Sequence, residues 1–329
     1  MAGETLHRQN FEASSLTKSR LGKEALADYQ DDGLVRTHFI EGPYGGQLMA
    51  QTYGHQDTDR VVWFLPGSPG CSDDPALLMR MPYLYQNLIK VVVVNRDGYW
   101  GSTPVSRERY PDGRVKGTVE NIKQVARTLN LPMEYFLGRS GGGRYALECR
   151  SLPGVKAVCA MATMAPLPAL GDSWYDDMPE FNRTVYKAAE KLDTVTVTNM
   201  LIAAREDILS EKREGYDPAA TGWSRREELT TLSHKRALLY GADGWIQDTY
   251  DATSWTLRNS DEGNSRTLII DADKDLYVPP QHGEWLADHI AGAERQTVEG
   301  THGVTMLLLP TAINWLLNDT YNAPRPFVY

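Results

Sequence analysis

A serine within Gly138-Arg139-Ser140-Gly141-Gly142-Gly143 has the surroundings that a nucleophile needs. The apolar run Tyr135-Phe136-Leu137 before it reads as the end of a strand. Arg144-Tyr145-Ala146-Leu147-Glu148-Cys149 after it reads as a helix. Strand, tight turn with serine at the apex, and helix together make a nucleophile elbow. The turn holds the serine on a strained backbone, so that its hydroxyl projects above the sheet. Gly138 and Gly142, two residues before and two after, relieve the crowding there. The helix start aims N–H groups at whatever negative charge develops beside it. The stretch lacks the Gly-Lys-Ser/Thr ending of a Walker loop and the G-x-G-x-x-G of a dinucleotide fingerprint.

A serine hydroxyl is a weak nucleophile without a base in reach, and the base needs an acid to orient it. Around such an elbow the chain order is serine, acid, histidine. The acid belongs just past the strand Thr267-Leu268-Ile269-Ile270, where Asp271-Ala272-Asp273-Lys274-Asp275-Leu276-Tyr277-Val278-Pro279 follows. Asp275, four before Pro279, has D-x-x-V-P spacing and is the first choice. Asp273 is the second, and Asp271 reads as a brace for the loop. Of the seven histidines, His7, His38, His55 and His234 precede the acid, and His282 and His289 fall on the helix after it. His302, in Glu299-Gly300-Thr301-His302-Gly303, follows the last strand, and its flanking glycines let it turn inward over the serine.

An acyl-transfer site also needs two N–H donors for the developing oxyanion. Gly141 is one. The other belongs to Pro66-Gly67-Ser68-Pro69-Gly70, where both prolines lack an N–H. Gly67 and Ser68 remain, and Ser68 has the usual position.

The elements that carry these residues are legible as hydrophobic runs. Arg36 to Tyr53 alternates and breaks at Gly42-Pro43-Tyr44-Gly45-Gly46, as two strands and a turn do. Val61-Val62-Trp63-Phe64-Leu65 and Val91-Val92-Val93-Val94 are continuous, the mark of strands buried on both faces of a parallel sheet. Pro75 to Lys90 and Val119 to Leu129 have helical character, and Met133 to Leu137 and Val155 to Met161 are strands. Arg295 to Val298 is a weaker final strand, and Met306 to Asn318 a closing helix. From Pro166 to about Ser260 strand-like runs give way to polar helical sequence. The expected fold is an α/β sandwich: a mostly parallel twisted sheet with helices on both faces and an inserted helical cap. Its parts are an extension over 1–34 (with a short amphipathic helix over Leu21 to Tyr29), core over 35–165, cap over 166–262 and core over 263–329.

The chain has 329 residues, 41% hydrophobic and 23% charged, ordinary for a soluble globular protein. A net charge of −9 without a Lys/Arg cluster makes nucleic acid and anionic membranes poor partners. Three cysteines without metal-ligand spacing fit neither a disulfide scaffold nor a zinc site. With no signal-peptide core or membrane-length apolar run, a cytoplasmic location is expected.

Asn95-Arg96-Asp97-Gly98-Tyr99-Trp100-Gly101-Ser102 is similar to the D-R-x-G-x-G-x-S turn of α/β-hydrolases. Together with the elbow, this resembles a bacterial, largely actinobacterial subgroup of that superfamily. Asp172-Ser173-Trp174-Tyr175-Asp176-Asp177-Met178 with Asn182 resembles its cap entrance. Gly244-Trp245 resembles its later cap helix, and His282-Gly283-Glu284-Trp285-Leu286-Ala287 its helix after the acid loop. The resemblance spans roughly 36 to 318 and implies a hydrolase on the α/β-hydrolase fold. One departure stands out. The family's oxyanion loop begins His-Gly, and here Pro66 replaces the histidine, so whatever that side chain braces must be held otherwise.

The combined expectation is a serine hydrolase of small-molecule esters or lactones, working through Ser140, His302 and Asp275 without metal or cofactor. Trp174, Tyr175 and Met178 are the candidate substrate wall, and packing between cap and core would use the same residue types. Arg139 reads as a structural ion-pair partner or a pocket-facing charge. A proline-iminopeptidase-like exopeptidase is the alternative, suggested by Gly67-Ser68-Pro69-Gly70 and by Asp176, Asp177 and Glu180. A non-catalytic ligand-binding protein on the same fold is the third reading.

Overall fold

The computed structural model describes residues 34–74, 77, 80–210, 225–257 and 265–318. The expected N-terminal extension, with its short helix, lies outside them except for Leu34. Eight strands form one sheet in the order β1-β2-β4-β3-β5-β6-β7-β8. They are β1 (Val35–Glu41), β2 (Gln47–Gly54), β3 (Val61–Leu65), β4 (Lys90–Val94), β5 (Tyr135–Arg139), β6 (Ala157–Met161), β7 (Arg266–Ala272) and β8 (Ala293–Val298). β1–β2 and β2–β4 pair antiparallel, and every other neighbouring pair is parallel.

The continuous apolar runs follow from burial on both faces. Trp63 and Leu65 point into one core with Val92, Val94, Phe136 and Ile269. Val62 and Phe64 point into the other with Val91, Val93, Leu137 and Ile270. The second face is covered by α1 (Met81–Gln86), through Met81 and Leu84. The first face is covered by α2 (Arg114–Leu129), whose Val119, Ile122, Val125 and Ala126 recur at helical spacing. It is also covered by α3 (Gly143–Glu148), through Tyr145 and Ala146. Each fully buried aliphatic side chain of this kind contributes about 1.5–3 kcal/mol. β8 reads weakly because it is an edge strand whose polar side chains reach solvent.

Between β6 and β7 the described residues contain helices and no strand. They are α4 (Leu167–Leu170), α5 (Glu180–Glu190), α6 (Thr194–Leu209), α7 (Arg225–Ala237) and α8 (Asp243–Ser254). After β7 comes α9 (Pro280–His289), with Leu286 buried against the first face. The expected closing helix is split. Residues His302–Leu308 form a 3-10 segment, and α10 (Leu309–Asn318) covers the second face through Leu309, Ala312 and Ile313. Among the described residues, no helix is long and apolar enough to cross a membrane. Cys71, Cys149 and Cys159 are free and buried, and burial pushes each thiol well above its usual range.

The sheet order places the chemistry. The chain leaves β3 for β4 on one side and returns as β5 on the other. The crevice beyond the carboxyl ends of β3 and β5 is therefore a topological switch point, where open α/β sheets bind ligands. The Pro66–Gly70 loop leaves β3 and Ser140 follows β5. The acid loop follows β7 and the histidine loop β8, so all four open at the same edge.

Candidate active site

Ser140 follows β5 directly and has a φ of 52°. A non-glycine residue in the left-handed region costs on the order of 1–3 kcal/mol and persists only where its surroundings enforce it. Here the enforcement is close packing. A Cβ on Gly138 would stand 2.5 Å from the Gly143 Cα, and one on Gly142 would stand 2.5 Å from the Pro66 carbonyl oxygen. The expected roles of these two glycines are met by their clearances. The sequence reading had no role for Gly143, which lies hard against the Thr163 side chain beyond β6.

The acid loop separates its three aspartates by partner. Asp275 is buried, and its Oδ2 accepts from His302 Nδ1 at 2.6 Å. Its Oδ1 accepts the backbone N–H groups of Tyr277 (2.9 Å) and Val278 (3.0 Å). A carboxylate can only accept, so His302 carries a proton on Nδ1, and Nε2 is the nitrogen not engaged by Asp275. Asp271 accepts from Arg295 Nε at 2.7 Å, and Asp273 accepts the Gly300 N–H at 2.8 Å. Both brace the loops on either side of the pair. The histidine loop is tied to the elbow through Thr305, which donates to the His302 carbonyl (2.8 Å) and accepts from Arg139 Nε (3.1 Å). Arg139 is buried, and its Nη1 lies 3.8 Å from Asp74. Of its two readings, the structural one describes its contacts. The Tyr277 ring lies 5.6 Å from the His302 ring, and Leu276 and Tyr277 are both exposed.

Gly141 and Ser68 meet: a Cβ on Gly141 would stand 3.2 Å from the Ser68 nitrogen. On the other side, a Cβ on Gly67 would stand 3.6 Å from the Ser140 hydroxyl oxygen. Both candidate donor residues of the β3 loop thus lie beside the elbow. The loop itself is held by Arg96, whose Nη1 donates to the Pro66 carbonyl and Nη2 to the Gly67 carbonyl, each at 2.8 Å. This guanidinium does the bracing that a proline at position 66 cannot. Arg96 is fully buried and donates through Nε (3.1 Å) and Nη2 (2.6 Å) to Asp248 Oδ2, on α8.

Asp248 is the hub of a buried network. It also accepts from the Ser68 hydroxyl, Tyr99 (3.0 Å), Arg114 (2.8 Å) and Tyr145 (2.9 Å). Arg114 and Tyr145 reach Asp251 one turn on, at 2.7 and 2.9 Å. Burial alone would push the Asp248 carboxyl up. The Arg96 and Arg114 guanidiniums outweigh it and hold the group well below the usual carboxylate range. Sequence reasoning missed this network. The sequence offered little signal for it, because Arg114 and Asp248 lie in polar stretches and Arg96 in the turn after Val91–Val94.

Trp174, Tyr175 and Met178, the expected substrate wall, form an apolar cluster with Met164, Leu167, Ala252 and Val278. Trp174 is 0% exposed, its indole donates to the Ala165 carbonyl at 2.7 Å, and its ring packs against His282. Tyr175 donates to Glu190 at 2.8 Å. In this structure these side chains join the helical insertion to the sheet domain, and Trp174 has no free surface to offer a ligand. Among the described residues no group of three or more His, Cys, Asp or Glu is gathered to hold a metal ion.

His282 bolts the same junction. Its Nδ1 accepts the Ala165 N–H (3.2 Å) and its Nε2–H donates to the Trp174 carbonyl (3.1 Å), a pattern that needs the neutral ring. Burial pushes its pKa down from 6.5 to about 4. The unfolded chain therefore takes up the proton first as pH falls. The stabilisation is fully present above pH 6.5 and is lost on the way down to about pH 4. The loss amounts to about 3 kcal/mol at the lower end. Urea unfolding of wild type should accordingly weaken more steeply over this window than that of His282→Gln. Parallel pH profiles of the two proteins would contradict it.

No family model matches the sequence, and no curated protein matches it. Solved structures do. A hydrolase from Pseudomonas aeruginosa PA01 superposes with a TM-score of 0.61 at 16% identity, covering 88% of this chain and 100% of its own. An enol-lactonase from Burkholderia xenovorans LB400 gives 0.61 at 16% identity, covering 85% and 99%. An esterase from Exiguobacterium antarcticum gives 0.60 at 19% identity, also covering 85% and 99%. Identities this low speak to architecture. They agree with the eight-stranded, mostly parallel sheet, and the chain has the α/β-hydrolase fold.

Proposed function

We propose that the protein is a serine hydrolase acting on an ester or lactone of a small molecule. The observation that carries the reading is the 2.6 Å bond from His302 Nδ1 to a buried Asp275, presented at the sheet edge where Ser140 sits in a strained turn. In this reading His302 Nε2 takes the Ser140 proton as the hydroxyl oxygen attacks the carbonyl carbon. The Gly141 and Ser68 N–H groups hold the oxyanion, and Asp275 stabilises the imidazolium. Collapse expels the alcohol, which takes the proton back from His302. Water then attacks the acyl-enzyme with the same histidine as base. A serine at the elbow, where haloalkane dehalogenases and epoxide hydrolases use a carboxylate, points to acyl transfer. The esterase and enol-lactonase among the structural neighbours support that substrate class.

The helical insertion acts as a cap in this reading. Trp174, Tyr175 and Met178 shape the site from behind, by seating the cap. The exposed Tyr277, whose ring lies beside His302, gives the site an apolar wall. The exopeptidase alternative needs free carboxylates to bind an amine. Of its three candidates, Glu180 is engaged with Arg183 and Thr184, and Asp176 and Asp177 are exposed.

A fluorophosphonate probe tests the proposal. Wild type should be labelled and Ser140→Ala should not. An unlabelled wild type, or equal labelling of both, would sink the hydrolase reading. Turnover of p-nitrophenyl acetate without turnover of proline p-nitroanilide would separate the ester reading from the exopeptidase one.

A further inference from the structure

The geometry points to Arg96 and Asp248 as positioning residues that aim the oxyanion-hole donors, so that the helical insertion sets catalytic competence as well as access. The inference rests on the serine-hydrolase reading of Ser140. It follows from the planarity of two peptide groups. In a trans peptide the C=O and the following N–H point in opposite directions within one plane. The Pro66–Gly67 and Gly67–Ser68 peptides are both trans. Arg96 binds both carbonyl oxygens at 2.8 Å with the two terminal nitrogens of one rigid fork. Both peptide planes are thereby fixed, and the Gly67 and Ser68 N–H groups are turned away from Arg96. The two residues that carry those N–H groups lie against the elbow, Ser68 against Gly141 and Gly67 against Ser140. Whichever N–H serves as the donor, the same guanidinium sets its direction.

Arg96 needs a partner of its own, because an isolated buried guanidinium is not tolerated. That partner comes from α8 of the insertion, 152 residues later in the chain. Asp248 receives Arg96 along the edge formed by Nε and one N–H of Nη2, leaving Nη1 and the second N–H of Nη2 to reach the two carbonyls. It also takes the Ser68 hydroxyl. The Ser68 side chain is therefore committed to the clamp, and only its backbone is left for the substrate. Asp248 is itself fixed by Arg114 and by Tyr145 of the elbow helix, and its backbone carbonyl accepts from Arg144 (2.8 Å). One carboxylate thus ties together the oxyanion loop, the elbow helix and the insertion.

The test uses the full-length protein with Arg96→Lys and Asp248→Asn. Lysine keeps the charge next to Asp248 but has one nitrogen, which cannot span both carbonyls. Asparagine keeps the shape of Asp248 but loses its charge. Arg183→Gln, on the exposed face of α5, is the control. Each protein is assayed for kcat and KM on p-nitrophenyl acetate, and for inhibition by an aryl trifluoromethyl ketone. In that adduct the serine oxygen bonds to the carbonyl carbon, its proton passes to His302, and the carbonyl electron pair becomes an oxyanion. Arg96→Lys and Asp248→Asn should lose about 10²-fold in kcat, against the 10²–10³-fold for losing a donor outright. Ketone affinity should fall in proportion, with KM within about threefold and Arg183→Gln unchanged.

A loosened structure would raise KM or lower the amount of labelled enzyme, and would not tie ketone affinity to kcat. Arg96→Lys preserves the buried charge balance, so it remains informative if Asp248→Asn fails to fold. Either folded variant with wild-type kcat and ketone affinity overturns the inference. A wild type that takes no fluorophosphonate overturns the hydrolase reading, and the inference with it.

Discussion

Asp275→Asn is expected to lower kcat on an activated ester by about 10⁴-fold with little change in KM. The reason lies in how the side chain is held. Its Oδ1 faces two backbone N–H groups, those of Tyr277 and Val278. An asparagine there must place its amide oxygen on those two donors, because the opposite orientation would set an NH₂ against both. Its NH₂ then faces His302 Nδ1, which must become an acceptor. The imidazole proton moves to Nε2, the nitrogen that receives the Ser140 proton in the proposed serine-hydrolase mechanism. The ring stays in place in the wrong tautomer, and the base is lost. The unfolding midpoint should stay near that of wild type, since the loop keeps its two backbone bonds. A drop in kcat smaller than tenfold would mean that Asp275 does not orient the base.

Gly142→Ala is expected to destabilise the fold by about 3 kcal/mol or more. The new methyl would stand 2.6 Å from the Leu65 carbonyl carbon and 2.5 Å from the Pro66 carbonyl oxygen, and closer still to the Leu65 oxygen. All three atoms are backbone, at the end of β3 and the start of the Pro66–Gly70 loop. No rotamer change can make room, and the Pro66 carbonyl is pinned from behind by Arg96. The substitution must push β3 away from the elbow or unwind the turn. Chemical denaturation would measure it. A variant with wild-type stability and activity would show that the elbow and the β3 loop are less tightly apposed than their clearances imply.

The parts of the site that could be read from sequence are those that chain order constrains. Ser140, Asp275 and His302 each follow a strand, and an elbow fold allows one order for them. Within the acid loop, where order is silent, the D-x-x-V-P spacing set Asp275 ahead of Asp273 and Asp271. The clamp was not legible for the opposite reason. Arg96 and Asp248 are distant in the chain, and charged residues in polar stretches read as solvated unless their burial is known. Trp174, Tyr175 and Met178 illustrate a different limit. An aromatic cluster in a helical insertion has one composition whether it faces a ligand or a neighbouring helix, and only packing distinguishes the two. The split closing helix has a local cause. Thr305 bonds to Arg139 and to the His302 carbonyl, which draws His302–Leu308 into the histidine loop instead of the helix.

The burial of all three cysteines has a practical consequence for watching the insertion move. With every native thiol sealed in the core, a single cysteine introduced at an exposed position would be the one site open to maleimide chemistry. Leu192, 74% exposed between α5 and α6, is such a position. A fluorophore there, paired with a quencher carried on a serine-directed probe, would report the distance between insertion and nucleophile in solution. No background substitution in the core would be needed first.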